Sequence, residues 1–279
     1  MRSDAKKAFY FHADANSLGG FIEEPFQKHI PAQASSTLPA VGGHVTSRTE
    51  AFTFEGVISC RAAHTRVSGR HVKENGSATV SVTSVLEGLN ILEIVKAERV
   101  VAQITAEYSG KGGFPRVSFA GSHFDRLTIG HSDASLVVNA GLLGLPSGAK
   151  AIRVPITESV FHETGRQQAA KLVKSAKADA DQDSVRWLID RYGWMESERK
   201  PGKDGFLLCS LVDGVGGAVP GRSFGHVLEI PDFGRIFLGE ILVAQSTFRI
   251  SMIRAELGCT VKGNGNASCA AVAVHGVPP

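Results

Sequence analysis

Apolar and polar residues alternate with a period of two along most of this chain, and only one stretch switches to the helical period. That contrast limits the fold more than any motif does, because period two places successive side chains on opposite faces of a strand. Residues 49–55 and 77–83 alternate cleanly. Segments 206–212, 224–230, 234–244, 247–257 and 267–274 read as further strands. The pattern predicts two more near 91–95 and 98–108, although Val85, Leu86, Leu89 and Leu92 carry a helix-like spacing. Glycine and proline mark expected breaks at Gly19-Gly20, at 31–43 (an extended loop), at Glu74-Asn75-Gly76, at 214–221 and at 263–266.

The exception spans 160–203. Ala169, Leu172, Val173 and Ala176 fall at i, i+3, i+4 and i+7, and Val185, Leu188, Ile189 and Tyr192 repeat that spacing. Asp181 or Asp183 can cap the second helix, and Gly193 can end it. The helices interrupt the strands and do not alternate with them. A parallel βαβ sheet is therefore disfavoured, and the expectation is a mainly β fold, an antiparallel β-sandwich or barrel-like structure with one helical insertion. Residues 1–159 and 204–279 would complete one domain around the 160–203 insertion.

The chain has 279 residues, of which 43% are apolar and 20% charged, enough for a large core. Its net charge of +3 comes from mixed signs without a basic block, so nucleic-acid binding is not expected. No run approaches 18 apolar residues and the opening residues do not read as an export signal, so the expectations are no membrane span and a cytoplasmic location.

Catalytic motifs are sparse. His162-Glu163 lacks the second histidine of a zinc-protease helix, and no GxSxG elbow occurs. His12 with Asp14, and His123 with Asp125, are each two apart, so each pair shares a strand face and offers two candidate metal ligands. Two pairs do not make a site without convergence, and no cofactor is implied. Carboxylates such as Glu23, Glu24, Asp213, Glu229 and Asp232 are too common a set to mark a hydrolase. Gly214–Gly217 reads as a flexible loop, since no helix follows to hold a phosphate. Only two tryptophans occur, both in the helical stretch, which gives a sugar platform on a β face no support.

Four cysteines form no CxxC pair. Cys259 and Cys269 flank Gly263-Asn264-Gly265, a good hairpin loop. Either they lie opposite one another and can form a disulfide, or they are two reduced thiols of a cytoplasmic chain. Trp187, Tyr192 and Trp194 give the insertion an aromatic face, which either packs on the β domain or docks a partner.

Two segments carry a family pattern. Residues 76–129 contain GSATVSVTSVLEGLNIL, VVAQITAEYS and FDRLTIGH; residues 233–259 contain FGRIFLGEILV and FRISMIRAELGC. Together they resemble the bacterial choice-of-anchor P type of β-rich surface domain. The resemblance implies a β architecture and an extracellular setting, and lends no catalytic residue.

The combined expectation is a non-enzymatic structural or binding protein, a homo-oligomer or partner of another protein, associating through strand edges or the helical insertion. The rival reading is a β-fold hydrolase or metal-dependent enzyme built on the His/Asp pairs.

Overall fold

A computed structural model describes residues 8–72, 76–109, 113–144, 156–197, 206–244, 247–258 and 261–277. The chain opens with a long hairpin, β1 (Ala8–Glu24) and β2 (Lys28–Thr37). There follow β3 (Gly43–Thr49), β4 (Phe52–Phe54), β5 (Ile58–Cys60), β6 (Ala62–Val72), β7 (Ser77–Ile91) and β8 (Val95–Tyr108). Short strands come next: β9 (Arg116–Ser118), β10 (His123–Asp125), β11 (Thr128–Ile129), β12 (Ser132–Asp133) and β13 (Ser135–Val138). The insertion is α1 (Glu158–Lys177), α2 (Gln182–Tyr192) and α3 (Trp194–Ser197). The last strands are β14 (Phe206–Ser210), β15 (Val212–Gly216), β16 (Arg222–Phe224), β17 (Val227–Ile230), β18 (Gly234–Ala244), β19 (Thr247–Gly258) and β20 (Lys262–Val277).

These strands form two main antiparallel sheets with one contiguous core, as the alternation predicts. The first has eight strands in the order β16-β17-β18-β19-β20-β1-β2, with β14 beside β18. The second has ten, centred on β6, β7 and β8. β13 and β15 pair in a small third sheet. The inner faces of β1, β19 and β20 pack on those of β6, β7 and β8. Leu18, Ile22, Phe248 and Ile250 thereby meet Val80, Val82, Leu86 and Ile104 in a core from which water is excluded.

Buried hydroxyls pin this apolar contact. Ser17 Oγ lies 3.1 Å from Ser84 Oγ, and Ser36 Oγ lies 2.6 Å from Thr65 Oγ1. Ser268 Oγ donates to the Ser84 carbonyl at 2.8 Å and accepts from the Ala102 amide at 3.0 Å. Ser84 lies opposite Ala102 in the β7–β8 ladder, so the Ser268 hydroxyl bridges the two members of that pair. Ser268 sits at φ 53, where glycine is at ease. Ser268→Gly relieves the backbone and removes both of these buried hydrogen bonds. The expected result is a loss of about 1–3 kcal/mol in urea unfolding. No measurable loss would mean that the hydroxyl is dispensable.

Several expected turns are strands. Gly19-Gly20 and Gly263-Asn264-Gly265 both lie inside long strands and face each other across β1 and β20. The two backbones approach so closely that a Cβ on Gly20 would sit 2.2 Å from the Asn264 carbonyl oxygen. Glycine is needed there for clearance, with no reversal of the chain. The turn after β19 instead falls between Gly258 and Lys262, which are paired. Segment 31–43, expected as a loop, is largely β2, whose Pro31 is tolerated near the end of a sheet. Gly214–Gly216, expected to be loose, belong to β15. Conversely, 91–95 contains a turn, with Leu92 and Glu93 at φ 50 and 60, and 224–230 is split by a turn at Gly225-His226. The 74–76 turn falls partly outside the described residues; β6 and β7 pair on either side of it.

The helices follow their apolar stripes. Ala169, Leu172, Val173 and Ala176 of α1 are buried, as are Val185, Leu188 and Tyr192 of α2. Asp181 caps α2 by accepting from the Ser184 amide. Gly165 lets α1 approach β14, since a Cβ there would lie 2.9 Å from the Leu208 carbonyl oxygen. Gln168 then fastens the helix to the strand, donating to the Ser210 carbonyl at 2.9 Å and accepting from the Ser210 amide at 2.8 Å.

Candidate functional site

The helical insertion covers one half of the outer face of the eight-stranded sheet, and beneath it lies a buried charged cluster. Glu240 sits in the apolar run Phe237–Val243 of β18, yet its side chain points outward under α2. Its Oε1 accepts from Arg191, Tyr192 and Arg254, each at 3.1 Å, and its Oε2 accepts from Arg254 Nε at 2.6 Å. Arg254 also pairs with Glu256. The Arg254 guanidinium lies 3.5 Å from the centre of the Phe237 ring, and that of Arg191 lies 5.1 Å from it. Burial works to raise the Glu240 pKa. Hydrogen bonds from Arg254 and the charges of Arg254, His226 and Arg191 outweigh it and hold the carboxyl below its ordinary range.

His226 completes the cluster from the β16–β17 turn and is 2% exposed. Its Nε2 lies 3.2 Å from the Tyr192 hydroxyl. That hydroxyl gives its hydrogen to Glu240, so its oxygen is the acceptor and His226 carries its proton on Nε2. Burial pushes the imidazole down to about 4. It also drives the Tyr192 phenol upward, with Glu240 adding to the effect. A neutral histidine, a protonated tyrosine and a doubly bridged carboxylate form a closed polar lock. Each of these side chains has a partner inside the fold, with Arg191 Nε the one atom of the cluster buried without a hydrogen bond, and such an arrangement holds a helix on a sheet better than it moves protons.

The expected aromatic face is spent on this same contact. Tyr192 is 1% exposed. Trp187 meets Phe237 edge-on at 6.0 Å, with the Arg235 guanidinium 3.8 Å from its own ring centre. Trp194 is partly buried against the core, and its Nε1 donates to the Arg191 carbonyl. Trp187 and Tyr192 reach β18 at Phe237 and Glu240, so these residues hold the insertion to the sheet.

The two His/Asp pairs stay apart. His12 and Asp14 share the outer face of β1 in the first sheet, whereas His123 and Asp125 share a face of β10 in the second. His123 Nε2 lies 3.5 Å from Asp125, and its Nδ1 is 2.7 Å from the Gly121 carbonyl oxygen. Among the described residues no three His, Cys, Asp or Glu side chains gather as a metal site. Cys269 is a free, buried thiol opposite Ser251, whose hydroxyl lies 3.3 Å away. The disulfide expectation relied on a loop at Gly263–Gly265, and that loop is a strand. Cys259 lies outside the described residues.

Two concavities lie away from the cluster's interior. A cleft of ≈ 880 Å³ opens at the end of the first sheet, but its charges largely satisfy one another: Arg235 with Glu229 and Glu256, and Lys262 with Glu24. The second, ≈ 570 Å³, is apolar. Leu127, Leu136, Leu143, Leu211 and Met252 line it, with His123, Arg126 and Asp133 also present. It adjoins β13, where Val137 is 59% and Val138 46% exposed.

A family model described as Domain of unknown function (DUF8256) matches residues 9–244. The chain belongs to that family. The DUF8256 match runs from β1 to the end of β18, so it takes in the helical insertion, Glu240 and His226, and leaves out Arg254 on β19. No curated protein and no solved structure matches the chain.

The sequence did not single out Glu240, and it offered His226 only as one of four histidines, with His12, His123 and His131, whose convergence would mark a site. One signal was available: a lone carboxylate within Phe237-Leu238-Gly239-Glu240-Ile241-Leu242-Val243 has to find a cation or leave the core.

Proposed function

We propose that this DUF8256 protein is a non-enzymatic β scaffold that associates with a second copy of itself through β13. The observation carrying this reading is the pair of exposed valines on a strand bordered by an apolar cleft. β13 is hydrogen-bonded to β15 on one side, and no strand among the described residues lies on its other side. An antiparallel edge of this kind can pair with its own symmetry copy across a two-fold axis, using one patch twice. Several other edges are shorter or covered. β4 and β16 have three residues each and β12 has two, which blunts them against pairing. β2 is longer, but it abuts β3, with the Ala34 amide donating to Thr49 Oγ1 at 2.9 Å.

A four-residue strand supports a weak, concentration-dependent dimer. Sedimentation equilibrium across a concentration series is expected to show a monomer–dimer equilibrium for the native chain. The double variant Val137→Lys, Val138→Lys should shift it to monomer while leaving the melting temperature in place. A native chain that stays monomeric throughout, or a double variant that dimerises equally well, would overturn the reading.

A further inference from the structure

The half of the first sheet's outer face that the helices leave bare carries an unusual polar set. Asp14 on β1 and Arg249 on β19 are both registered opposite Ala271 of β20, so the three side chains share one face. Their two strands lie two spacings apart, about 10 Å, with the Ala271 methyl on the strand between them. Neither has an ion-pair partner among the described residues. One row along, Asn16 is registered opposite Cys269, and its Oδ1 accepts from the Leu18 amide at 3.3 Å. That bond directs the Asn16 Nδ2 donor away from its own backbone. Gly19 keeps the space clear, since a Cβ there would come within 2.9 Å of Asn16 Nδ2. Asn266, opposite Gly19, adds a second amide. Together these residues border a groove of ≈ 390 Å³, within the usual span of small-molecule sites.

We propose that this groove binds a neutral sugar, with Asp14, Asn16, Arg249 and Asn266 as its hydrogen-bonding set. The donor and acceptor inventory selects the class. Asp14 only accepts, Arg249 only donates, and the two amides do both, which matches hydroxyls that each give and take a hydrogen bond. An anion meets Arg249 but is repelled by Asp14, and a cation meets the reverse. Cys269 contributes a buried, protonated thiol; burial raises its pKa more than its Ser251 and Arg249 contacts lower it. The inference is independent of self-association, since β13 lies in a different sheet.

The test is an amide NMR titration of the full chain with the methyl glycosides of glucose, galactose, mannose and N-acetylglucosamine. At least one is expected to shift amides along residues 14–20 and 264–271, with an affinity on the order of millimolar. Asp14→Ala should weaken binding by about tenfold or more, and Arg249→Ala supplies the same test if the first variant folds poorly. Arg70→Ala, on the far sheet, should bind as the native chain does. The proposal is overturned if no glycoside moves those amides, if the shifts survive both substitutions, or if sulfate or ammonium moves them where the sugars do not.

Discussion

Replacing Glu240 with alanine is expected to remove about 3–5 kcal/mol of folding stability, because it strands two guanidinium groups in a partly buried site. The side chains concerned are 10% exposed for Glu240, 17% for Arg254 and 32% for Arg191. Arg254 suffers most. It loses both hydrogen bonds to Glu240 and keeps Glu256 and the face of Phe237. Arg191 can turn further into water, so its share of the loss is screened. Tyr192 loses Glu240 as the acceptor of its hydroxyl hydrogen and is left with His226 Nε2, which accepts it only after a change of tautomer. Glu240→Gln is expected to cost less, since an amide oxygen still accepts hydrogen bonds but the charge is gone. Urea unfolding of both variants checks the ordering. A Glu240→Ala loss below about 1 kcal/mol, the scale of an exposed ion pair, would show that the cluster is solvated and does not lock α2 to β18. Because the cluster joins the insertion to the sheet, the loss should come with earlier proteolysis in 158–197 than in the β7–β8 hairpin.

The bounds of β18 and β19 were legible almost to the residue, because each is an apolar run closed by turn residues; β18 is buried on both faces, so its apolar run and not an alternation marks it. The stripes of α1 and α2 and the Asp181 cap were legible for the same kind of reason: each is a local pattern with a local cause. What escaped was the chemistry of close approach. Gly19-Gly20 and Gly263–Gly265 read as turns because glycine in isolation signals freedom of φ. Here the residues are small because two backbones touch, a fact that exists only once β1 and β20 are paired. The loop on which a Cys259–Cys269 pairing depended is a strand for the same reason. The inter-sheet serines were invisible for a related reason. Ser17, Ser84 and Ser268 sit at 0% exposure, where a sequence reading assigns serine to the surface, and their partners are 67 and 184 positions away. The candidate sites share this character. His12/Asp14 and His123/Asp125 were correctly placed on shared faces, but convergence depends on which sheet each strand joins. Asp14 gains its interest from Arg249, 235 residues away and tied to it only through the register of Ala271.

Acid is expected to weaken this fold through His226 in a window that can be stated. The imidazole faces Tyr192 and Arg191 on α2, Glu240 on β18 and Arg254 on β19, with Asp213 on β15 also contributing. Burial is the largest influence and lowers its pKa to about 4, with Glu240 pulling upward and the two arginines downward. In the unfolded chain the group returns to its ordinary 6.5. The folded state thus binds the proton less readily than the unfolded state, and stability rises with pH between these two values. His226 contributes its full share above 6.5, loses it progressively as pH falls, and adds no further loss below about 4. A shift of this size corresponds to about 3 kcal/mol. Carboxylates titrate in part of the same range, so the native curve alone does not isolate the histidine. The variant His226→Gln does, because its amide can still donate to the Tyr192 oxygen but takes up no proton. Between pH 7 and about pH 4 the native chain should lose about 3 kcal/mol more than the variant, read from urea unfolding at each pH. An imidazole NMR signal titrating near 6.5 in the folded chain, or parallel stability curves for the two proteins, would mean that His226 is solvated and that the lock beneath α2 is open.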